Sequence, residues 1–195
     1  MAMTHAGFVF LAMPKAGSSV LQGTFAKHAQ VLVRHPPMAK HMSAARYERV
    51  FAPWLARCGF PRSSYETMCL VRNPLDRAVS WWKYRARPEL KGKPNYTGDI
   101  SFATFAERLI SGEVGLGTAT NFVTDQHGTV IVDRLYRYDN LEVAAAWMAS
   151  CLGIPTPELP QINVSPQREA GLDAQGRARL EAHFASDLAL YESAR

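Results

Sequence analysis

Cysteine is scarce in this chain. Cys58, Cys69 and Cys151 are an odd number, and they lie too far apart for the close pairs that zinc sites use. A complete disulfide framework is therefore not expected, and a reducing cytoplasm is the compartment that suits such a sequence. Long apolar runs are missing as well. No stretch approaches the ~18 residues that a membrane span requires. The run from Gly7 to Met13 is too short for a secretory leader, lacks a basic segment before it, and reads better as a first strand. There are no repeats, no domain linker and no metal-ligand cluster, so residues 1–195 are expected to form one domain without a metal.

Hydrophobic residues make up 47% of the sequence and charged residues 20%, enough for a sizeable core. The net charge of +5 suits a polyanionic partner: nucleic acid, an anionic membrane surface, an acidic glycan or a phosphorylated cofactor. A basic solubilising surface would give the same balance, so charge alone does not choose.

Two local patterns do more. Phe8 to Met13 (FVFLAM) reads as a buried strand and runs into PKAGSS, Pro14 to Ser19; Thr67 to Val71 does the same into RNPLDRAVS, Arg72 to Ser80. Each is a strand, a tight basic turn and a helix. Such junctions aim backbone N–H groups and a helix N-terminus at whatever lies beyond the strand, which suits an anion. Two of them in one small domain point to a ligand with two separated phosphate groups.

Around these junctions the periodicity predicts a helix from Ser18 or Ser19, as N-cap, to about Ala29, a short strand at Val31 to Val33, and a helix from Ser43 to Arg57. Asp76 is the expected cap of the next helix, which Pro88 ends. Phe102 to Ile110 and Leu141 to Leu152 read as helices, Val130 to Tyr138 as a strand, and Asp173 as the cap of a last helix carrying Leu180, Phe184, Leu188 and Tyr191 on one face. The Lys-, Pro- and Gly-rich segment Pro88 to Gly98 is either a substrate-facing loop or a surface connector.

Lys15 sits on the first turn, where its ammonium can reach a bridging or terminal ligand oxygen. Gly17 lets the backbone approach closely, and Ser18 and Ser19 add hydroxyl and N–H groups. A Walker A loop requires Lys directly after its last glycine, and here Lys15 precedes Gly17. At the second junction Arg72 and Ser80 can face one anion, although Arg72 could equally pair with Asp76 to fix the turn.

PKAGSS resembles the 5′-phosphosulfate-binding loop of sulfotransferases, and RNPLDRAVS resembles their 3′-phosphate-binding motif, in the family's order. Four softer similarities, KHM at Lys40 to Met42, DRLYRYDNL at Asp133 to Leu141, LPQINVS at Leu159 to Ser165 and FASDLALY at Phe184 to Tyr191, resemble the carbohydrate-sulfotransferase branch and extend the likeness over nearly the whole chain. The resemblance implies an α/β fold of P-loop-NTPase type, a three-layer sandwich with a central, mainly parallel sheet flanked by helices. It implies transfer of a sulfuryl group from 3′-phosphoadenosine 5′-phosphosulfate (PAPS) to a hydroxyl or amine of a carbohydrate or small metabolite. Carried over by position, Pro14, Lys15, Ala16, Gly17, Ser18 and Ser19 would hold the 5′ end, and Arg72 and Ser80 the 3′-phosphate. Lys15 would stabilise the departing oxygen. Where the family usually has Thr or Cys, this chain has Ala16.

A hydroxyl acceptor needs a base, and histidine is the usual one. His41 stands where this branch places a histidine facing the acceptor, with His35 in the same loop as its rival; His5, His28, His127 and His183 read as tail, helix-surface or turn residues. Arg168 is a further candidate for a phosphate or a sulfated acceptor. Trp54, Trp81, Trp82 and Tyr84 read mostly as core, with one of them available to stack on adenine or a sugar. Pro36 to Ser43, Pro88 to Gly98 and Gly112 to Asn121 are expected to shape the acceptor cleft. Two other classes compete: a nucleotide kinase with a degenerate P-loop, for which Asp133 is the only weak Mg²⁺ carboxylate, and a noncatalytic module binding nucleotides or anionic glycans.

Overall fold

The computed structural model describes residues 1–160 and 168–195. One open sheet contains β1 (Ala2–Met3), β2 (Phe8–Leu11), β3 (Glu66–Val71) and β4 (Arg134–Arg137), in that spatial order. β2, β3 and β4 run parallel, with Leu11 beside Cys69 and Val71 beside Arg137, whereas β1 is antiparallel to β2. The sheet is thus mixed, a correction to the mainly parallel one expected. The reason is local: a 3₁₀ turn at Thr4–Ala6 and Gly7 at φ 77° fold the chain back on itself before Phe8. That hairpin occupies the edge of β2. Val31 consequently only bridges Ala2 on the far side of β1, and the expected strand at Val31 to Val33 does not form.

Helices flank the sheet: α1 (Ser18–Phe25), α2 (Pro37–Lys40), α3 (Ala44–Arg46), α4 (Ala52–Arg57), α5 (Pro74–Arg85), α6 (Phe102–Ile110), α7 (Ala119–Val123), α8 (Leu141–Leu152), α9 (Ala174–His183) and α10 (Ala185–Ser193). A π-helical segment, Tyr47–Phe51, joins α3 to α4 and completes the helix expected there. Three caps differ from or match the sequence reading for clear reasons. Gly17, at φ 75°, precedes α1, so Ser18 and Ser19 lie in its first turn instead of capping it. Asn73, not Asp76, caps α5, its Oδ1 accepting from the N–H groups of Leu75 at 3.0 Å and Asp76 at 3.4 Å. Asp173 caps α9 through the N–H of Gly176 at 2.7 Å, as expected, but the helix breaks at Phe184 (φ −101°, ψ 20°) and restarts as α10.

β2 is buried throughout, as is β3 beyond Glu66, which is why both read as nearly continuous apolar runs. Small residues on α8, Ala144, Ala145 and Ala149, belong to the same core and let that helix approach closely, while Trp147 packs against Phe8 and Tyr136 with ring centroids 5.2 and 6.0 Å apart. A second apolar cluster joins α5, α6 and α9 through Trp82, Phe102, Phe105, Leu109, Leu180 and Phe184.

One buried ion pair ties these parts together. Arg77 on α5 donates to the Gly117 carbonyl at 2.6 Å and lies 3.4 Å from Asp187 of α10; Asp187 in turn accepts from the N–H groups of Ala119 and Thr120 and from the Thr120 hydroxyl. Both side chains are almost fully buried. Asp187 therefore caps the start of α7, and Arg77 is an internal clamp that holds Asp187 and the Gly117 carbonyl and does not line the cavity described below. Removing one partner strands the other's charge in the interior, so Arg77→Met should lower unfolding free energy by about 3–5 kcal/mol in urea titration; a loss under about 1 kcal/mol would show the pair dispensable.

Candidate functional site

Because β2, β3 and β4 are parallel, the segments that follow them leave the sheet side by side. Pro14, Lys15 and Gly17 after β2, Arg72 after β3 and Tyr138 after β4 come together there and line a cavity of about 360 Å³. Its lining includes Pro14, Lys15, Gly17, Ser18, Ser19, His41, Arg72 and Ser80, all the residues expected to hold the donor or act as base except Ala16. Ala16 is completely buried in the main core, which accounts for a small residue at that position. Its contribution to the loop is confined to the backbone.

Lys15 is the one non-glycine residue with positive φ (65°) among the described residues. That conformation is uncommon for a long side chain and marks the turn as tightly constrained. The Lys15 ammonium stands over the rings of Tyr84 and Trp81, 4.4 and 6.0 Å from their centroids. Burial, reinforced by the charges of Arg87 and Arg72, lowers the Lys15 pKa to about 8. The turn thus presents a partly desolvated cation that no carboxylate pairs with among the described residues.

Arg72 bridges the two junctions. Its Nη1 reaches the Lys15 carbonyl at 3.5 Å, its guanidinium lies 4.5 Å over the Tyr138 ring, and its buried Nε has no hydrogen-bond partner among the described residues. It does not pair with Asp76, which is exposed. Beyond Asn73, α5 brings Ser80, Trp81 and Tyr84 to the cavity, and Arg87 follows just past the helix end; their spacing of three and four residues puts them on one helical face. Of the aromatic candidates, Trp81 and Tyr84 line the cavity, Trp82 is buried in the second cluster and Trp54 does not line the cavity. Tyr138, Arg34 and Arg87 were not singled out as site residues from the sequence. The helical spacing from Ser80 could have found Arg87; nothing local marks Tyr138, which arrives through strand pairing.

The opposite wall comes from residues 34–41. His41 Nδ1 donates to the Ala12 carbonyl at 2.6 Å, which leaves Nε2 as the lone-pair nitrogen of the neutral ring. Burial is the largest influence on His41 and lowers its pKa; the Ala12 hydrogen bond opposes this and the Lys40 charge adds to it. Lys40 Nζ donates to Ser19 Oγ at 3.3 Å. His35 lines the same cavity and is exposed. The arrangement can hold anionic groups against two basic turns and offers an unprotonated imidazole beside them.

Several sequence candidates lie elsewhere. Arg168 donates to the Thr97 and Ile100 carbonyls at 3.1 and 3.0 Å and stacks 3.7 Å over Trp82, tethering the segment before α6. Pro88 to Gly98 and Gly112 to Asn121 contribute nothing to the cavity lining, although Arg87 adjoins the first. Asp133 lies just before β4, at the strands' opposite end. It accepts from the Thr67 N–H and hydroxyl and from Arg62 at 2.7, 2.8 and 2.7 Å; burial pushes its carboxyl up, and these bonds overcome that and hold it below the usual carboxylate range. Residues 161–165 of the LPQINVS motif lie outside the described residues.

No protein-family model matches this chain, and no curated protein matches it. Among the described residues no helix is long and apolar enough to cross a membrane.

A Cβ on Gly17 would come within 2.7 Å of two Tyr138 ring carbons, whereas one on Gly7, at nearly the same φ, would meet nothing within 4 Å. Gly7→Ala should therefore lose only the left-handed conformational preference, about 1–2 kcal/mol. Gly17→Ala should lose measurably more in thermal unfolding and should also weaken anion binding. Equal losses would show that the Tyr138 ring simply moves aside.

Lys15 carries its proton below pH about 8 and sheds it above. A bound anion raises that pKa, so binding of adenosine 3′,5′-bisphosphate should take up protons just above pH 8 and weaken as pH rises further. Calorimetry in two buffers of different ionisation enthalpy reads the uptake directly. Uptake that persists in Lys15→Met would assign it to another group.

Proposed function

We propose that this protein is a PAPS-dependent sulfotransferase acting on a hydroxyl, or amine, of a carbohydrate or small metabolite. The observation that carries the reading is the convergence of Lys15, Ser18, Ser19, Arg72, Ser80 and His41 on one cavity, although their motifs are far apart in sequence. The finer description of the fold, a P-loop-NTPase-like three-layer sandwich, belongs to the same proposal. So does a cytoplasmic location, which suits three free thiols.

In this reading the two junctions divide the donor's anionic groups. The turn at residues 14–19, with the N-terminus of α1 behind it, takes the phosphosulfate end; Arg72 and Ser80 take the 3′-phosphate. His41 Nε2 accepts the proton of the acceptor hydroxyl as its oxygen bonds to sulfur. The bond between sulfur and the 5′-phosphate oxygen breaks in the same displacement, and Lys15 neutralises the charge left on that oxygen. Alignment and charge stabilisation carry such a transfer, as they do for phosphoryl groups, which fits a site made of fixed backbone turns and cations.

The kinase alternative is weakened by Asp133, whose carboxylate is bound by Thr67 and Arg62 at the other end of the strands. A noncatalytic anion-binding module would use the same cations without needing His41.

Calorimetric titration with adenosine 3′,5′-bisphosphate, ATP and AMP, without metal, should show micromolar binding of the bisphosphate alone. Arg72→Ala should weaken that binding by about 1.5–3 kcal/mol, the size of a charge-assisted hydrogen bond. With PAPS and an acceptor, Lys15→Ala should abolish transfer, and His41→Ala should lower kcat while bisphosphate affinity holds. Preferential binding of ATP would favour the kinase, and bisphosphate binding without transfer to any acceptor would favour the module.

A further inference from the structure

The cavity holds more positive charge than the donor assignment uses. Lys15, Arg34, Lys40, Arg72 and Arg87 all line it, no Asp or Glu does, and none of the five belongs to an ion pair among the described residues. Residues 161–167 contain no acidic side chain that could supply one. Lys15 and Arg72 are committed to the two basic turns. Arg34 and Lys40 stand on the same wall as His41, which Lys40 immediately precedes, and Lys40 is held to Ser19 at 3.3 Å. Like charges gathered in a recess repel, and an anion between them relieves that repulsion. The effect is visible at Lys40, whose pKa falls through burial first and the nearby Arg34 charge second.

We infer that the acceptor is itself an anion: a hydroxyl compound carrying a carboxylate, phosphate or sulfate group, which Arg34 and Lys40 hold while His41 faces the reacting hydroxyl. This inference rests on the sulfotransferase reading. It narrows the acceptor to acidic molecules and makes Arg34 and Lys40 specificity residues. A neutral sugar or phenol would leave both cations uncompensated next to the reacting group, and its binding would carry that cost.

The test uses the full chain saturated with adenosine 3′,5′-bisphosphate, so that the donor site is filled. Glucuronate, glucose 6-phosphate, glucose 6-sulfate and uncharged glucose are then titrated separately, and the three charged sugars distinguish which oxyanion the site takes. At least one should bind about tenfold or more tightly than glucose, with the advantage shrinking as salt is raised. Arg34→Gln should remove most of that preference and alter bisphosphate affinity less than about twofold, because Arg34 is exposed and follows neither β2 nor β3; Lys40→Gln should remove preference too. Equal binding of glucose, no binding of any charged sugar, or a preference that survives in the Arg34→Gln, Lys40→Gln double variant would overturn the inference alone. Failure of the bisphosphate to bind would overturn the sulfotransferase reading and this inference with it.

Discussion

Because β2, β3 and β4 are hydrogen-bonded in parallel, the chain leaves all three strands at the same end of the sheet, and the cavity groups that follow those strands inherit their positions from that register. Lys15 follows β2, Arg72 follows β3, and Tyr138 follows β4. The contacts among them are the consequence: the Arg72 guanidinium lies over the Tyr138 ring, Arg72 reaches the Lys15 carbonyl, and Gly17 has no side chain where that ring packs. A shift of register in β3 or β4 would separate all three at once. Such slips are costly because a one-residue shift exchanges the two faces of a strand, so that the side chains of buried β2 and β3 would meet the wrong neighbours in a close-packed core.

The same frame explains how a cluster of cations is tolerated without carboxylates. Aromatic faces take the place of counter-ions: Tyr84 and Trp81 for Lys15, Tyr84 for Arg87 at 4.8 Å, and Tyr138 for Arg72. An aromatic ring stabilises a cation less than a carboxylate does, so the cations stay available to a ligand. A carboxylate in their place would have to be displaced or desolvated on binding.

Seven arginines of this protein fall into three groups that their partners separate. Arg77 and Arg168 spend their donors on backbone carbonyls; Arg77 adds a buried carboxylate and joins α5 to α10, and Arg168 holds the segment before α6 against Trp82 of the second apolar cluster. Arg62 and Arg134 pair with acidic residues near the start of the parallel strands. Arg34, Arg72 and Arg87 have no acidic partner among the described residues, and all three border the cavity. Position in the sequence does not distinguish the groups, as Arg72 and Arg77 are only five residues apart.

Local chemistry was legible in the sequence wherever a short segment decides the outcome by itself. The buried strands β2 and β3, the basic turns after them, the helices Phe102–Ile110 and Leu141–Leu152 and the Asp173 cap all depend on neighbours within a few residues, and so could be read from pattern and turn chemistry. The choice of Asn73 over Asp76 as cap, the antiparallel hairpin at the sheet edge and the failure of Val31 to Val33 to form a strand depend on competition for the same hydrogen-bonding groups, which a pattern does not rank. Tertiary structure alone decided that Tyr138 backs Gly17 and Arg72, that Arg168 serves Trp82 and not the cavity, and that Arg34 and Lys40 share a wall with His41. Those groups meet only after strand pairing brings distant segments together, and the energies that hold them there belong to pairs of residues, not to either residue's own stretch of chain.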